Sequence, residues 1–291
     1  MLHLLPTELF VHIVETTAHE YRFSDRRTVI NLAMSCRTVY DIVSPILHHT
    51  LIVTDRNAEQ LESLISNAET RALAERILSH VHCFHNRSRI ENPFDPHLLV
   101  NIESVETWSS SIFGSLAHAQ LKRVYTNESN LLEATCQLAP EAMRAVTHVS
   151  GFLPMFIDDS GWDSFFADPS GWMQSLLKKV PVVTHLGLTH DYPWKGDYRG
   201  SIALYDYEAV GTAIRTALRD RPSLQCIAIR TCGLPVELRR ADLETILRNI
   251  GDPRVKIWFD MRPQTTWDEH VALRVLDVQE DRSLWSEARP L

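Results

Sequence analysis

The stretch VTHLGL (183–188) decides how this 291-residue chain is read: aliphatic Val183 is followed three positions on by Leu186 and then by Leu188. The phrase returns as LQCIAI (224–229), with Leu224, Ile227 and Ile229, and in degenerate form as LSHVHC (78–83), LKRVYT (121–126) and VTHVSG (146–151). Alternate side chains of a strand point to opposite faces, so the fourth and sixth places enter a core and the third and fifth face away from it. The first aliphatic turns inward before the strand begins. VKIWFD (255–260) continues the series one register out of step, and HTLIVT (49–54) begins it.

Working outward, helical runs stand before several of these phrases and stop at a proline. Tyr207, Val210, Ile214 and Leu218 form a face that ends before Pro222; Leu176 and Leu177 precede Pro181; Leu243, Ile246, Leu247 and Ile250 precede Pro253. Strand, helix, proline, strand is the unit, and such crossovers require parallel strands. The phrases start at residues 78, 121, 146, 183 and 224, so no constant repeat length fits, and the clearest insertion is 85–120. Asn57 with Gln60 reads as the cap of the first helix of this region, which buries Leu61, Leu64, Ile65 and Ala68. Thr266 with Glu269 forms a capping box for a last helix carrying Val271, Val275 and Leu276, which is expected to cover the open end of the sheet. The doubled Ser-Gly-Trp at 160–162 and 170–172 reads as two turns whose tryptophans pack on the sheet region or project as binding anchors.

The first fifty residues carry helical spacing instead. Pro6 suits a first helical turn, and Leu9, Phe10, Ile13, Val14 and Thr17 follow on one face of a helix over about 6–18. A second stripe holds Val29, Leu32, Ala33 and Cys36, a third Val39, Ile42, Val43 and Ile46, with Pro45 near its end. Three helices of this size bury too little surface to be very stable alone, so they need the rest of the chain or a partner. Periodicity by itself leaves both readings open.

Within this segment, LPTELFVHIV and then INLAMSCRTVYDIVSPILHH resemble the F-box. Leu5, Pro6, Glu8, Leu9 and Ile13 match its first helix, Leu32, Cys36 and Arg37 its middle run, and Pro45 and Leu47 its closing segment, together about a sixth of the chain. Val39, with Tyr40 beside it, stands where many members carry Trp, and His48 stands where an aromatic is common. The resemblance implies docking on a Skp-type adaptor, and through it on the other subunits of a cullin-RING ubiquitin ligase, with Leu5, Pro6, Leu9, Ile13, Leu32, Cys36 and Tyr40 as the adaptor-binding residues. The recurring phrase is similar to the strand of a leucine-rich repeat, which often follows an F-box. The expected fold is α/β: a three-helix F-box over 1–48, then an irregular leucine-rich-repeat-like solenoid with a mainly parallel sheet over 49–291.

The outward places bring His80 and His82, Arg123 and Tyr125, His148 and Ser150, His185 and Gly187, and Cys226 and Ala228 to one sheet surface, with His148 and His185 about 5 Å apart if their strands pair. A groove for an unidentified target protein is one reading, with Tyr125, His148, His185, Arg230 and Trp258 as its candidate contacts; a solvated sheet face is the other. HVHCFH (80–85) is rich in imidazole and thiol, but a strand sends His80 and His82 to one side and Cys83 and His85 to the other, which disfavours a shared tetrahedral metal. No cofactor is called for. The sequence holds no Gly-x-Ser-x-Gly elbow, no phosphate loop and no His-Glu-x-x-His, and Asp158 and Asp159, adjacent in sequence, do not give the separation of about 5 Å or more that a glycosidase pair needs. The expectation is a binding subunit and not an enzyme, with a free-standing scaffold as the alternative and a hydrolase using His148 or His185 as a third.

Composition agrees with this class. Net charge −8 gives none of the broad positive field of a nucleic-acid binder. The five scattered cysteines, 36, 83, 136, 226 and 232, indicate neither a disulfide framework nor a zinc ribbon, and point to a reducing compartment. Glu8, His12 and Glu15 interrupt the first apolar run, so neither a signal peptide nor a membrane span is expected, and the protein is placed in cytoplasm or nucleus.

Overall fold

The computed structural model describes residues 6–88, 94–107, 112, 113, 116, 120–126, 135, 137–152, 168–191, 207–232, 237–260, 262, 277 and 283–290. The chain opens with α1 (Thr7–Tyr21), α2 (Arg26–Ala33) and α3 (Arg37–His48). Pro6 precedes α1 as its cap, and Asp25 caps α2 by accepting from the Thr28 amide at 3.1 Å. Val14, Ala18, Val29, Ala33, Val39 and Val43 close a small core separate from the one beneath the sheet. Cys36 is not on the α2 stripe as expected; it is the exposed cap residue of α3.

The remaining described residues form an α/β sheet. Its strands are β1 (Thr50–Thr54), β2 (Cys83–Arg87), β3 (Ser104–Thr107), β4 (Arg123–Thr126), β5 (His148–Phe152), β6 (His185–Asp191), β7 (Cys226–Cys232), β8 (Val255–Asp260) and β9 (Arg289–Pro290). They lie side by side in chain order and form an open sheet. Every pair from β1–β2 to β7–β8 is parallel; β9 alone runs antiparallel, on β8. The crossovers carry α4 (Ala58–Ser66), α5 (Ala68–Leu78), α6 (Pro140–Met143), α7 (Pro169–Lys179), α8 (Tyr207–Asp220) and α9 (Glu237–Ile250). As the prolines predict, α7, α8 and α9 end before Pro181, Pro222 and Pro253. Gly251 follows α9 at φ +67°, the left-handed conformation that closes a helix at little cost only for a residue without Cβ.

One ladder runs the width of the sheet: Phe84, Val105, Val124, Val149, Leu186, Ile227 and Val255 are cross-strand neighbours and all buried against the helices. Each such side chain contributes about 1.5–3 kcal/mol. This row is the fourth place of the recurring phrase, so the inward positions of β4 to β7 follow the sequence expectation, and Val255 enters the series at that place.

Three expectations shift in register or kind. In β2 the phrase is VHCFHN (81–86), three residues later than LSHVHC: Cys83 pairs with Ser104, and Val81, Phe84 and Asn86 are buried. His80 and His82 therefore precede the strand, and Cys83 and His85 hold the outward places. The supposed insertion 85–120 contains β3, whose phrase IESVET (102–107) ends on buried Thr107 where an aliphatic was sought. Asn57 is the N-cap residue of α4 as expected, but its side chain makes no capping bond; its Oδ1 accepts from the Thr54 amide at 2.7 Å and its Nδ2 donates to the Ile52 carbonyl at 2.9 Å, which pins the turn after β1. The second Ser-Gly-Trp opens α7, with Asp168 accepting from the Gly171 amide and Trp172 in the core, while the first lies outside the described residues. Asp158, Asp159 and the proposed helix at 266–276 also lie outside them. Among the described residues, no helix is long and apolar enough to cross a membrane.

Candidate functional site

Two surfaces stand out, one on the amino-terminal helices and one on the strand face opposite the crossover helices. On the first, Val14 and Ala18 turn α1 into its small core and leave Leu9 (45% exposed) and Ile13 (48% exposed) outside it. Met34, which follows α2, is 78% exposed, and Ile30 and Tyr21 are also exposed. Five of the eight large apolar side chains most exposed among the described residues thus lie between residues 9 and 34. Apolar residues scattered singly need no explanation, whereas this concentration along one short stretch of chain makes the amino-terminal helices a candidate binding surface.

The expected adaptor contacts divide accordingly. Pro6, Leu9, Ile13 and Cys36 are exposed. Leu32 packs against the small core. Tyr40 also packs there and faces α5, with the Arg76 guanidinium 5.9 Å from its ring centre and donating to its hydroxyl at 3.4 Å. Leu5 lies outside the described residues.

On the strand face, Thr50, Cys83, Ser104, Arg123, His148, His185 and Cys226 form one cross-strand row, and Ile52, His85, Glu106, Tyr125, Ser150, Gly187 and Ala228 form the next. The pairing of His148 with His185 is as expected, and their rings stack at 4.1 Å between centres and 8° between planes. Each Nδ1 shares a 2.9 Å hydrogen bond with the threonine just before it, Thr147 or Thr184. Burial, reinforced by the second imidazole, pushes the His148 pKa down to about 4; burial and then Lys256 lower that of His185.

This face is not an open groove at its centre. Residues 283–290 lie across it as α10 (Leu284–Glu287) and β9, opened by a Ser283–Ser286 capping box. Trp285 meets both imidazoles edge-on, at 5.6 and 5.5 Å, and donates from Nε1 to the Tyr125 hydroxyl at 2.9 Å. Leu284 and Ala288 pack on Cys226 and Ala228. Gly187 permits the approach: a Cβ there would stand 2.5 Å from Leu284 Cδ2 and 2.6 Å from Ser150 Oγ. Burial raises the Tyr125 pKa to about 12.

Tyr125, His148 and His185 are therefore brought together, but around Trp285. Arg230 and Trp258 belong to a separate cluster. Arg230 is fully buried and pairs with Asp260 and Asp277, and its guanidinium lies 4.0 Å from the Trp258 ring centre. Arg262 bridges the same two carboxylates, at 2.7 and 2.6 Å. Burial would raise the Asp260 pKa, but the hydrogen bonds and charges of Arg262 and Arg230 outweigh it and hold it to about 2. As a fully buried residue, Arg230 does not present its side chain to a partner.

Beside the 283–290 segment a cavity of about 320 Å³ opens on the strand face, lined among others by Arg22 and Phe23 of the α1–α2 turn and by Ser283 and Leu284. Its floor holds a buried cluster: Glu106 Oε1 accepts from Arg87 Nη2 at 2.5 Å, and Oε2 accepts from His85 Nδ1 at 2.9 Å. Burial opposes charge on Glu106, yet the two partners keep its carboxyl well below the usual range. Burial raises the pKa of Cys83, which keeps it in the weakly nucleophilic thiol form.

Sequence reasoning missed Arg87, Glu106 and Trp285. The first two lay in the supposed insertion, and Trp285 was signalled only by hydroxyls spaced three apart, Ser283 and Ser286, around an apolar pair. Among the described residues no group of three or more His, Cys, Asp and Glu is arranged to hold a metal ion. Compared with protein-family models, curated proteins and solved structures, the chain matches none.

Proposed function

We propose that this protein is a substrate-recognition subunit of a cullin-RING ubiquitin ligase, docking on a Skp-type adaptor through an F-box-like α1–α3 and binding a target protein through residues 49–291. In this reading it catalyses nothing itself. The observation that carries it is the exposure of Leu9, Ile13, Ile30 and Met34 on helices that already possess their own small core. A helix face of this kind supplies the central apolar anchors of an interface. The reading of residues 49–291 as an irregular leucine-rich-repeat-like solenoid draws on the chain-order parallel strands and the single inward ladder.

Target contacts then belong to the parts of the strand face that residues 283–290 leave uncovered, and not to buried Arg230. The test is co-expression with a Skp-type adaptor. The full chain should co-purify with it in higher soluble yield, and Leu9→Ala with Ile13→Ala should abolish co-purification without changing the thermal midpoint, because both side chains are half out of the core already. Retained adaptor binding by that double variant would refute the docking face. Soluble, monomeric protein with no affinity for the adaptor would favour a free-standing scaffold.

A further inference from the structure

The strand-face cavity holds a guanidinium whose donors are not all used. The Arg87 side chain is 1% exposed; Nη2 is bound to Glu106, while Nε and Nη1 are buried and make no hydrogen bond among the described residues. Leaving such donors unmet costs free energy, which an accepting ligand recovers when the side chain turns from its buried position toward the cavity. Charge around the cavity points the same way. The Asp277 carboxylate is engaged by Arg230 and Arg262, and the Glu106 carboxylate by Arg87 and His85. Arg22 and Arg123 also line the cavity, and neither has a carboxylate partner among the described residues. An excess of guanidinium thus gathers in one concavity of a chain whose net charge is −8.

Guanidinium groups match the planar, two-oxygen geometry of carboxylates and phosphates, and the hydroxyls of Ser104 and Ser150 on the same wall add neutral donors. At about 320 Å³, with Phe23 and Leu284 among its lining residues, the space has the size of a small-molecule site. We infer that this cavity binds a small organic anion bearing a carboxylate or phosphate group, held by Arg87 and Arg123 beneath residues 283–284. The site is separate from the proposed adaptor-docking face and stands or falls without it.

The test is isothermal titration of the full chain with citrate, with pyrophosphate and with neutral glycerol, in chloride buffer of matched ionic strength. Saturable binding of citrate or pyrophosphate, and none of glycerol, is expected; citrate alone would identify a carboxylate ligand and pyrophosphate alone a phosphate. Arg123→Gln, at an exposed position that leaves the core intact, should weaken binding by about ten- to a hundredfold, the loss of one charge-assisted hydrogen bond. Arg87→Lys keeps the charge but loses the fork and should weaken it likewise; if that variant does not fold, Arg22→Gln takes its place. No saturable binding of either anion, binding unchanged in the arginine variants, or binding only of a glutamate-rich peptide would each overturn the assignment.

Discussion

Replacing Gly187 by alanine tests how residues 283–290 are held against the sheet. The new Cβ would stand 2.5 Å from Leu284 Cδ2, 2.6 Å from Ser150 Oγ and 2.8 Å from Ser150 Cβ, so something must move. Overpacking of this kind costs about 1–3 kcal/mol, reduced by about 0.4–1 kcal/mol because alanine restricts the unfolded chain. Gly187 lies on β6, between neighbours on β5 and β7 and backed by the Phe84 to Val255 ladder, whereas Leu284 contributes only about 1.5–3 kcal/mol to docking α10. The clash and the grip of Leu284 are equal in size, so the segment should yield before the sheet. Because position 187 stays folded when the segment opens, the unfolded-chain discount does not enter this local step, and at 1.4 kcal/mol per factor of ten a strain of about 1–3 kcal/mol should raise the open population by about five- to a hundredfold. Hydrogen exchange read by mass spectrometry reports this directly, since the Ser286, Glu287 and Ala288 amides are bonded inside the segment. Faster exchange over 284–288 with unchanged exchange in β5 to β7 is expected, and Leu284→Ala should restore the Gly187→Ala protein toward normal by about 1 kcal/mol in a double-mutant cycle. Unchanged exchange over 284–288 with a lowered thermal midpoint would place the strain in the sheet and refute the reasoning.

Further expectations follow from the same structure. The pKa values of His148 and His48 are lowered to about 4, and those of His185 and His49 are lowered as well; a depressed folded pKa means that the unfolded chain binds protons first as pH falls. Stability contributed by these groups is therefore complete above about pH 6.5 and lost progressively toward pH 4. Urea titrations across that range should show it, with a shallower slope for His148→Gln/His185→Gln. Asp260→Asn strips charge from the pocket of Arg230 and should cost about 3–5 kcal/mol, measured by chemical denaturation; a loss under 1 kcal/mol would mean that Asp277 alone suffices. Trp285→Phe keeps an aromatic edge over the imidazoles but removes the donor to Tyr125, with an expected loss of about 0.5–1.5 kcal/mol and a Tyr125 hydroxyl that ionises at still higher pH, read by ultraviolet absorbance, because that hydrogen bond favours the phenolate. Val149→Ala, in the middle of the inward ladder, should lower stability by about 2 kcal/mol, checked by its thermal midpoint.

The parallel sheet was legible because its inward ladder repeats one spacing of aliphatics, and the helices were legible because prolines end three of them. β3 escaped because Thr107 fills a place where an aliphatic was sought, and β2 was misplaced because Leu78, the last residue of α5, mimics the opening residue of a phrase. The pairing of His148 and His185 could be derived from register alone. What covers them could not, since Trp285 lies 100 residues beyond His185 and contacts at such separation leave no periodic trace. The same holds for Arg230: its position just after LQCIAI says which way it points, while its burial depends on Asp260, Asp277 and Trp258 arriving from elsewhere. Exposure of Leu9 and Ile13, by contrast, follows from helix geometry once Val14 and Ala18 take the inward face.

The two residues of β9 have a consequence for self-association. An open parallel sheet ends on bare amides and carbonyls, a template onto which another molecule can add a strand. Here Arg289 and Pro290 occupy the rim of β8 opposite Ile257 and Lys256, and they run against the direction of every other strand. Proline has no amide hydrogen to offer the next comer, and arginine brings charge. Together they act as a stopper, so a protein trimmed before residue 289 should bare the rim of β8 at Lys256 and Ile257 and self-associate edge to edge more than the untrimmed chain.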